Sequence, residues 1–220
     1  MIAPETPVTN PEAMTLDELG LHHRTDKASS SHGYPSIYET FFAPMRDREI
    51  VLLEIGVKAG ASLRVWRDYF PKGRIVGVDI RPPARAIEGG RIAIEIADQG
   101  RREALAEIAG RHGPFDIIIE DGSHRWPHQI MAMAELIPAL KPGGYFVSED
   151  LQVSFPPLAE QYAAGSERSA FQVLQDLAER VLRFRDREQP PPLAPELQRL
   201  VPMLAWVLFQ RHACILRRRR

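Results

Sequence analysis

Two apolar runs, Phe115-Asp116-Ile117-Ile118-Ile119-Glu120-Asp121 and Tyr145-Phe146-Val147-Ser148-Glu149-Asp150, each end in a pair of carboxylates. A short run that is apolar without alternation reads as a strand covered on both faces, which is the condition of strands in parallel sheets. Such sheets build their ligand sites at the C-terminal ends of the strands. The constraint is therefore double: the runs demand a layered α/β fold, and they deliver acids to the edge where chemistry is done.

The rest of the chain repeats the unit. Ile50–Ile55, Arg74–Val78, Arg91–Ile96, Phe115–Ile119 and Tyr145–Ser148 read as strands, with helices over Ala61–Tyr69, Arg101–Gly110 and His128–Leu140 between them. Lys141-Pro142-Gly143-Gly144 reads as the turn into the fifth strand. Ala205–Gln210 and Ala213–Leu216 read as a closing pair, antiparallel across Arg211-His212. The expectation is a doubly wound, mostly parallel seven-stranded sheet with helices on both faces and an antiparallel C-terminal strand pair. Hydrophobic residues make up 44% of the 220, enough for a full core. One domain over 16–220 is expected, preceded by a flexible, proline-bearing N-terminus, 1–15.

Within that domain, 16–49 reads as an N-terminal cap, with a short helix at Leu16–Leu19 and a polar loop over Arg24–Tyr34. A helix over Pro35–Met45 is expected to turn Ile37, Phe41 and Phe42 inward. The stretch 151–200 is irregular and reads as a substrate-covering insertion. It holds a strongly helical Ser169–Arg183 and a proline-rich connection, Gln189-Pro190-Pro191-Pro192.

Charge gives no general argument for a nucleic-acid surface, since 28 Lys plus Arg face 29 Asp plus Glu, and no nucleic-acid partner is expected. The basic run Arg217–Arg220 reads as a solvated tail. Cys214 is the sole cysteine, so no intrachain disulfide can form; its apolar neighbours suggest a buried, inert thiol, and a reducing cytoplasm is the expected compartment. The sequence contains no long apolar span and no leader pattern, so no membrane partner is expected.

Asp121, Glu149 and Asp150 together could hold a hard divalent cation through oxygen. His124, three residues past Asp121, could take a proton beside it. The plainer reading makes Asp121 a turn cap and Glu149-Asp150 a solvated sheet edge. A zinc site on His124 and His128 is disfavoured by the carboxylate surroundings. The first strand opens into Glu54-Ile55-Gly56-Val57-Lys58-Ala59-Gly60-Ala61-Ser62. That loop departs from the three-glycine dinucleotide pattern and puts a carboxylate, Glu54, where a pyrophosphate would suffer but an ammonium would not. Asp79 ends the second strand, placed to accept ribose hydroxyls.

These motifs together resemble the class I S-adenosylmethionine-dependent methyltransferases. More narrowly they resemble the magnesium-dependent sugar O-methyltransferases that tailor macrolides and related natural products, a group with relatives named for cephalosporin hydroxylation. The resemblance is carried by Arg24-Thr25-Asp26-Lys27, His32-Gly33-Tyr34, Leu53-Glu54-Ile55-Gly56-Val57, Gly77-Val78-Asp79-Ile80, Asp98-Gln99, Asp116 through His124 with His128-Gln129, and Lys141-Pro142-Gly143-Gly144 leading to Glu149-Asp150-Leu151. It implies that Glu54, Gly56, Gly60 and Ser62 surround the methionine part of S-adenosyl-L-methionine, that Asp79 binds its ribose, and that Asp98 and Gln99 face its adenine. It implies Mg2+ on Asp121, Glu149 and Asp150, with His124 as base. Thr25, Lys27, His32 and Tyr34 would help close the pocket. The implied function is O-methyl transfer to a small-molecule acceptor, a sugar hydroxyl of a glycosylated natural product, by a homo-oligomer. The alternative is a non-catalytic cofactor-binding or assembly protein on the same fold. Two departures from the family pattern are Ala97, where glycine is usual before Asp98, and Glu120, where aspartate is frequent.

Overall fold

The computed structural model describes residues 14–183 and 193–220. The N-terminal segment 1–15 lies almost wholly outside the described residues, and the Gln189–Pro192 connection entirely so.

Seven strands form one sheet: β1 Val51–Ile55, β2 Arg74–Asp79, β3 Ile92–Ile96, β4 Phe115–Glu120, β5 Leu140–Ser148, β6 Leu204–Gln210 and β7 Ala213–Arg218. Their order across the sheet is β3-β2-β1-β4-β5-β7-β6. β1 to β5 run parallel, and β7 is antiparallel to both of its neighbours. The chain winds outward from β1 to β3, then returns to begin β4 beside β1. That reversal makes β1/β4 the topological switch point, where a crevice opens past the strand ends.

Eight α-helices accompany the sheet among the described residues: α1 Leu16–His22, α2 Pro35–Phe42, α3 Ala61–Tyr69, α4 Arg102–His112, α5 Trp126–Leu136, α6 Ala159–Ala163, α7 Ala170–Leu182 and α8 Pro195–Gln198. Their starts are written locally. Thr15 and Glu18 form a capping box at α1, and Ser169 with Gln172 does the same at α7. Proline stands in the first turn of α2, α5 and α8, where its missing N–H has no intrahelical partner to lose.

Side chains alternate across the strands and so feed two cores. Leu53, Ile118 and Phe146 pack under α4, α5 and α7, while Leu52, Ile117, Ile119 and Val147 pack under α1 to α3. The second core is aromatic. Phe42 is fully buried, its ring 5.4 Å from Tyr38, 6.2 Å from Trp66, 6.3 Å from Phe70 and 6.0 Å from Tyr145. Edge-on and tilted rings at these separations add to simple burial.

Three expectations differ. The helix over 35–45 closes early, at Phe42, and a 3-10 turn carries on through Met45. Its deepest residues are Tyr38 and Phe42, while Ile37 and Phe41 are only partly buried. Lys141-Pro142-Gly143-Gly144 is not a turn before β5 but a bulge within it: Phe115 pairs with Leu140 and Ile117 with Tyr145, so four residues loop out opposite Asp116. The Arg217–Arg220 run is no free tail. β7 extends through Arg218, the Arg217 guanidinium lies 5.2 Å over the Tyr145 ring, and the Arg218 guanidinium donates to the carbonyls of Pro138 and Leu140. Long basic stems cover apolar surface while their heads find acceptors. Cys214 is buried as expected, and burial pushes its thiol up. No helix among the described residues is long and apolar enough to cross a membrane.

Replacing Phe42 by alanine removes the hub of the aromatic core. The expected loss is about 3–5 kcal/mol in urea unfolding; a loss below about 1 kcal/mol would mean that the cluster is not packed as described.

Candidate active site

The site begins with a close approach of backbones. Gly56 leaves β1 with φ at 96°, and a Cβ on it would sit 2.0 Å from the carbonyl oxygen of Asp121. Only glycine meets both conditions. The Asp121 N–H donates to the Ile55 carbonyl at 3.0 Å, so the ends of β1 and β4 are tied at the switch point. Past the strand ends, Lys58, His124 and Asp150 all adopt left-handed backbone, with φ of 52°, 57° and 57°. Such residues cost energy outside glycine, and they cluster where the surrounding structure over-determines a functional geometry.

A cleft of about 820 Å³ lies beyond these turns. Gly56, Ser62, Asp79, Asp98, Gln99, Asp121, His124 and Asp150 line it; Glu54, Gly60 and Glu149 do not, each being buried behind its wall. Asp79 braces the glycine turn from β2. Its carboxylate accepts from the N–H groups of Val57 at 3.1 Å, Lys58 at 2.9 Å and Arg81 at 2.8 Å. Burial works to raise its carboxyl, but the donors from Arg81, Lys58 and Val57 win and hold it below the usual range. Gln99 is committed internally: its amide donates to Glu120 at 3.0 Å and accepts from the Ser123 N–H at 2.8 Å. Glu120 is thus buried against Gln99 and does not face the cleft. The Ser123 hydroxyl and His128 Nδ1 are 2.8 Å apart, which fixes the turn before α5.

The strongest electrostatic feature is a buried ammonium. Lys27, 3% exposed, places Nζ against Asp121 Oδ2 and Glu149 Oε2, with Glu54 Oε1 at 3.4 Å. The remaining oxygens of two of these acids are engaged too: Tyr38 donates its hydroxyl to Glu149 at 2.7 Å, and Trp66 donates its indole N–H to Glu54 at 2.6 Å. Burial alone would lower the Lys27 ammonium, but Asp121, Glu149 and Glu54 together hold it well above the ordinary lysine range. One positive charge does not neutralise three carboxylates. Burial and mutual repulsion accordingly push Glu54 and Glu149 up.

Asp121, His124 and Asp150 each offer a ligand atom, and these lie within 4.8 Å of one another. Tyr34 donates to Asp150 at 2.9 Å, and His124 Nε2 stands 3.4 Å from Asp150 Oδ2. Burial opposes the charge on Asp150, yet His124, Gln152 and Tyr34 hold its carboxyl below the usual range. Two cleft-facing carboxylates, a third behind them and a surplus of negative charge suit a divalent cation with oxygen ligands. The three acids expected around one point are therefore not arranged alike: Asp121 and Asp150 face the cleft with His124, while Glu149 faces Lys27 and Tyr38. Tyr38 was not among the expected site residues, and Lys27 was expected only to help close the pocket. The only available signal was their place in a polar loop and a helix read for its apolar face.

Comparison with known proteins follows the same lines. A family model described as a methyltransferase domain matches residues 53–151. Two relatives come from Streptomyces olivaceus. The 8-demethyl-8-alpha-L-rhamnosyl tetracenomycin-C 2'-O-methyltransferase is 43% identical over 64% of this chain and 39% of its own length. The 8-demethyl-8-(2-methoxy-alpha-L-rhamnosyl)-tetracenomycin-C 3'-O-methyltransferase is 35% identical over 93% of this chain and 54% of its own. Among solved structures, the MycE methyltransferase of the mycinamycin biosynthetic pathway, in complex with Mg, SAH and mycinamycin VI, superposes with a TM-score of 0.81. It is 27% identical over 94% of this chain and 55% of the other. The chain spans about half the length of MycE and of the longer-matching relative.

Asp79→Asn places an amide where three N–H groups converge. Because the folded carboxyl sits below its ordinary 3.8, its contribution is complete above that value and fades as pH falls through the folded-state value. Urea unfolding should show wild type ahead by about 1–3 kcal/mol near neutrality. The gap should narrow below about pH 4; a gap independent of pH would remove charge from the account.

Proposed function

We propose, on the premise that this chain is a class I methyltransferase related to the enzymes that tailor glycosylated natural products, that it is an S-adenosyl-L-methionine-dependent, Mg2+-assisted O-methyltransferase acting on a sugar hydroxyl of such a compound. The observation that carries the proposal is a coincidence at one switch point: the Gly56 turn braced by Asp79, and the Asp121, His124 and Asp150 group across the same cleft.

In this reading Gly56 and Ser62 flank the methionine end of the donor, Asp79 accepts from its ribose hydroxyls, and Asp98 and Gln99 border its adenine. Glu54 and Gly60 shape the wall without reaching the cleft. Asp121, Glu149 and Asp150 are the carboxylates we assign to the metal, Glu149 joining only where the Lys27 ammonium gives way. Bound there, Mg2+ would supply Lewis acidity and orient a vicinal diol. His124 takes the proton from the acceptor hydroxyl as its oxygen attacks the methyl carbon and the carbon–sulfur bond breaks. The products are a methyl ether and S-adenosylhomocysteine. Asp150, 3.4 Å from Nε2, stabilises the imidazolium that this leaves. Holding the two reactants in line supplies much of the remaining acceleration. Tyr162 of α6 brings its ring to 6.2 Å from His124, and Phe155 and Leu158 beside it stay 46% and 36% exposed. They offer an apolar flank to the body of the acceptor.

The test is incubation with methyl-labelled S-adenosylmethionine, magnesium and a panel of glycosylated natural products, read by product mass. One added methyl per acceptor is expected, with loss of turnover on chelation. His124→Ala should slow transfer by about 10²–10⁴-fold, while calorimetry finds S-adenosylhomocysteine binding unchanged. Asp79→Ala should weaken that binding in a folded protein. Full turnover after rigorous metal removal would reject the metal role, and product-analogue binding without transfer to any acceptor would favour a binding protein.

A further inference from the structure

Lys27 sits where the ends of β1, β4 and β5 converge, each of which sends it one carboxylate: Glu54, Asp121 and Glu149. The loop that carries it is firmly made. Tyr34 N–H donates to the Lys27 carbonyl at 3.0 Å, Gly33 N–H to Ala28 at 3.0 Å and Ala28 N–H to Thr25 at 3.3 Å. The backbone is thus anchored, while the side chain is a four-carbon stem ending in a point charge. Nothing in the transfer mechanism uses that charge.

We propose that Lys27 is a built-in counter-ion that shares Asp121 and Glu149 with magnesium, so that metal entry displaces its ammonium from those two carboxylates toward the cleft lined by Thr25 and Asp26. The inference rests on the metal reading above. Its physical basis is exclusion. Mg2+ draws its oxygen ligands to about 2.0–2.1 Å in a near-octahedral shell. An ammonium held on the same oxygens leaves neither the lone pairs nor the space, and the two cations repel. With Lys27 in place, Asp121 and Asp150 can still meet a metal, but Glu149 cannot, because its two oxygens are taken by Lys27 and Tyr38. The ammonium therefore does two things. It keeps a buried acid cluster from standing uncompensated before metal arrives, and it sets how tightly metal is held by being the competitor that must leave.

Calorimetric titration with magnesium alone, on wild type and Lys27→Met, tests this. The variant should bind magnesium tighter by about tenfold or more. Without metal it should melt below wild type, and magnesium should raise its melting temperature by more than it raises that of wild type. If the metal-free variant does not fold, recovery of its circular dichroism on adding magnesium is the equivalent reading. A second measurement uses wild type only: acetylation by an amine-reactive ester, mapped by peptide mass. Lys27 should be protected without metal and labelled several-fold faster at saturating magnesium. Magnesium affinity in Lys27→Met equal to or below that of wild type, or Lys27 labelling indifferent to magnesium, overturns the proposal while leaving a metal site intact. Absence of magnesium binding in both proteins overturns the metal reading and this proposal together.

Discussion

The structure turns on how closely two backbones pass at the switch point. Gly56 runs against the Asp121 carbonyl with no room for a Cβ between them. That contact brings the ends of β1 and β4 together, and the cleft opens from it. Asp79 then holds the glycine turn from the far side through three backbone donors, so the loop is clamped between β2 and β4 rather than hanging free. A strand-end loop fixed on both sides presents backbone at a set distance, which is what a ligand lying across the edge of the sheet requires.

Fold and site share parts on the aromatic side. Trp66 packs in the buried cluster and also donates to Glu54; Tyr38 stacks in the same cluster and donates to Glu149. A buried carboxylate is tolerable only with such partners, and here the partners are themselves core residues. The segment before β1 is therefore not an accessory. Lys27, Tyr34 and Tyr38 carry cation and hydroxyl donors to the acids at the ends of β1, β4 and β5, and the anionic corner would be unbalanced without them.

Much of this was legible because burial on both faces writes itself as an apolar run. Phe115–Ile119 and Tyr145–Ser148 announced their strands, the acids after them marked the edge where the cleft opens, and Ala61–Tyr69 was read to the residue. Glycine at 56 and the acid at 79 were readable from the same geometry. What escaped was anything requiring partners across the chain. Lys27 stands 94 residues from Asp121 and 122 from Glu149, and a lysine in a serine-rich loop carries no local sign of burial. Tyr38 hid because the inward face of its helix was read from Ile37, Phe41 and Phe42, and a tyrosine beside them carries no local sign of a buried hydroxyl partner. Pro142-Gly143-Gly144 gave a correct local signal with the wrong consequence: the chain does deviate there, but hydrogen bonding resumes on either side, and the deviation is absorbed inside β5. The arginine run misled because charge suggests solvent, whereas the Tyr145 ring and the carbonyls of Pro138 and Leu140 give guanidinium groups better partners.

The place of β7 bears on how the chain is made. It lies between β5 and β6, antiparallel to both, with Tyr145 to Ser148 paired to Arg217 to Cys214. During synthesis, β5 can join β4 as soon as it emerges, yet its other edge must wait for a segment translated long afterwards. Over that interval a row of backbone donors and acceptors stands open beside a strongly apolar strand, the kind of edge at which nascent chains pair with one another. The looped-out Lys141 to Gly144 stretch breaks step with β4 and not with this edge, since the Gly143 N–H donates to the Arg219 carbonyl at 3.2 Å and carries the pairing with β7 past Arg217. That edge of β5 is therefore open from Gly143 onward until the last strand is made, and β7 closes the whole of it at once.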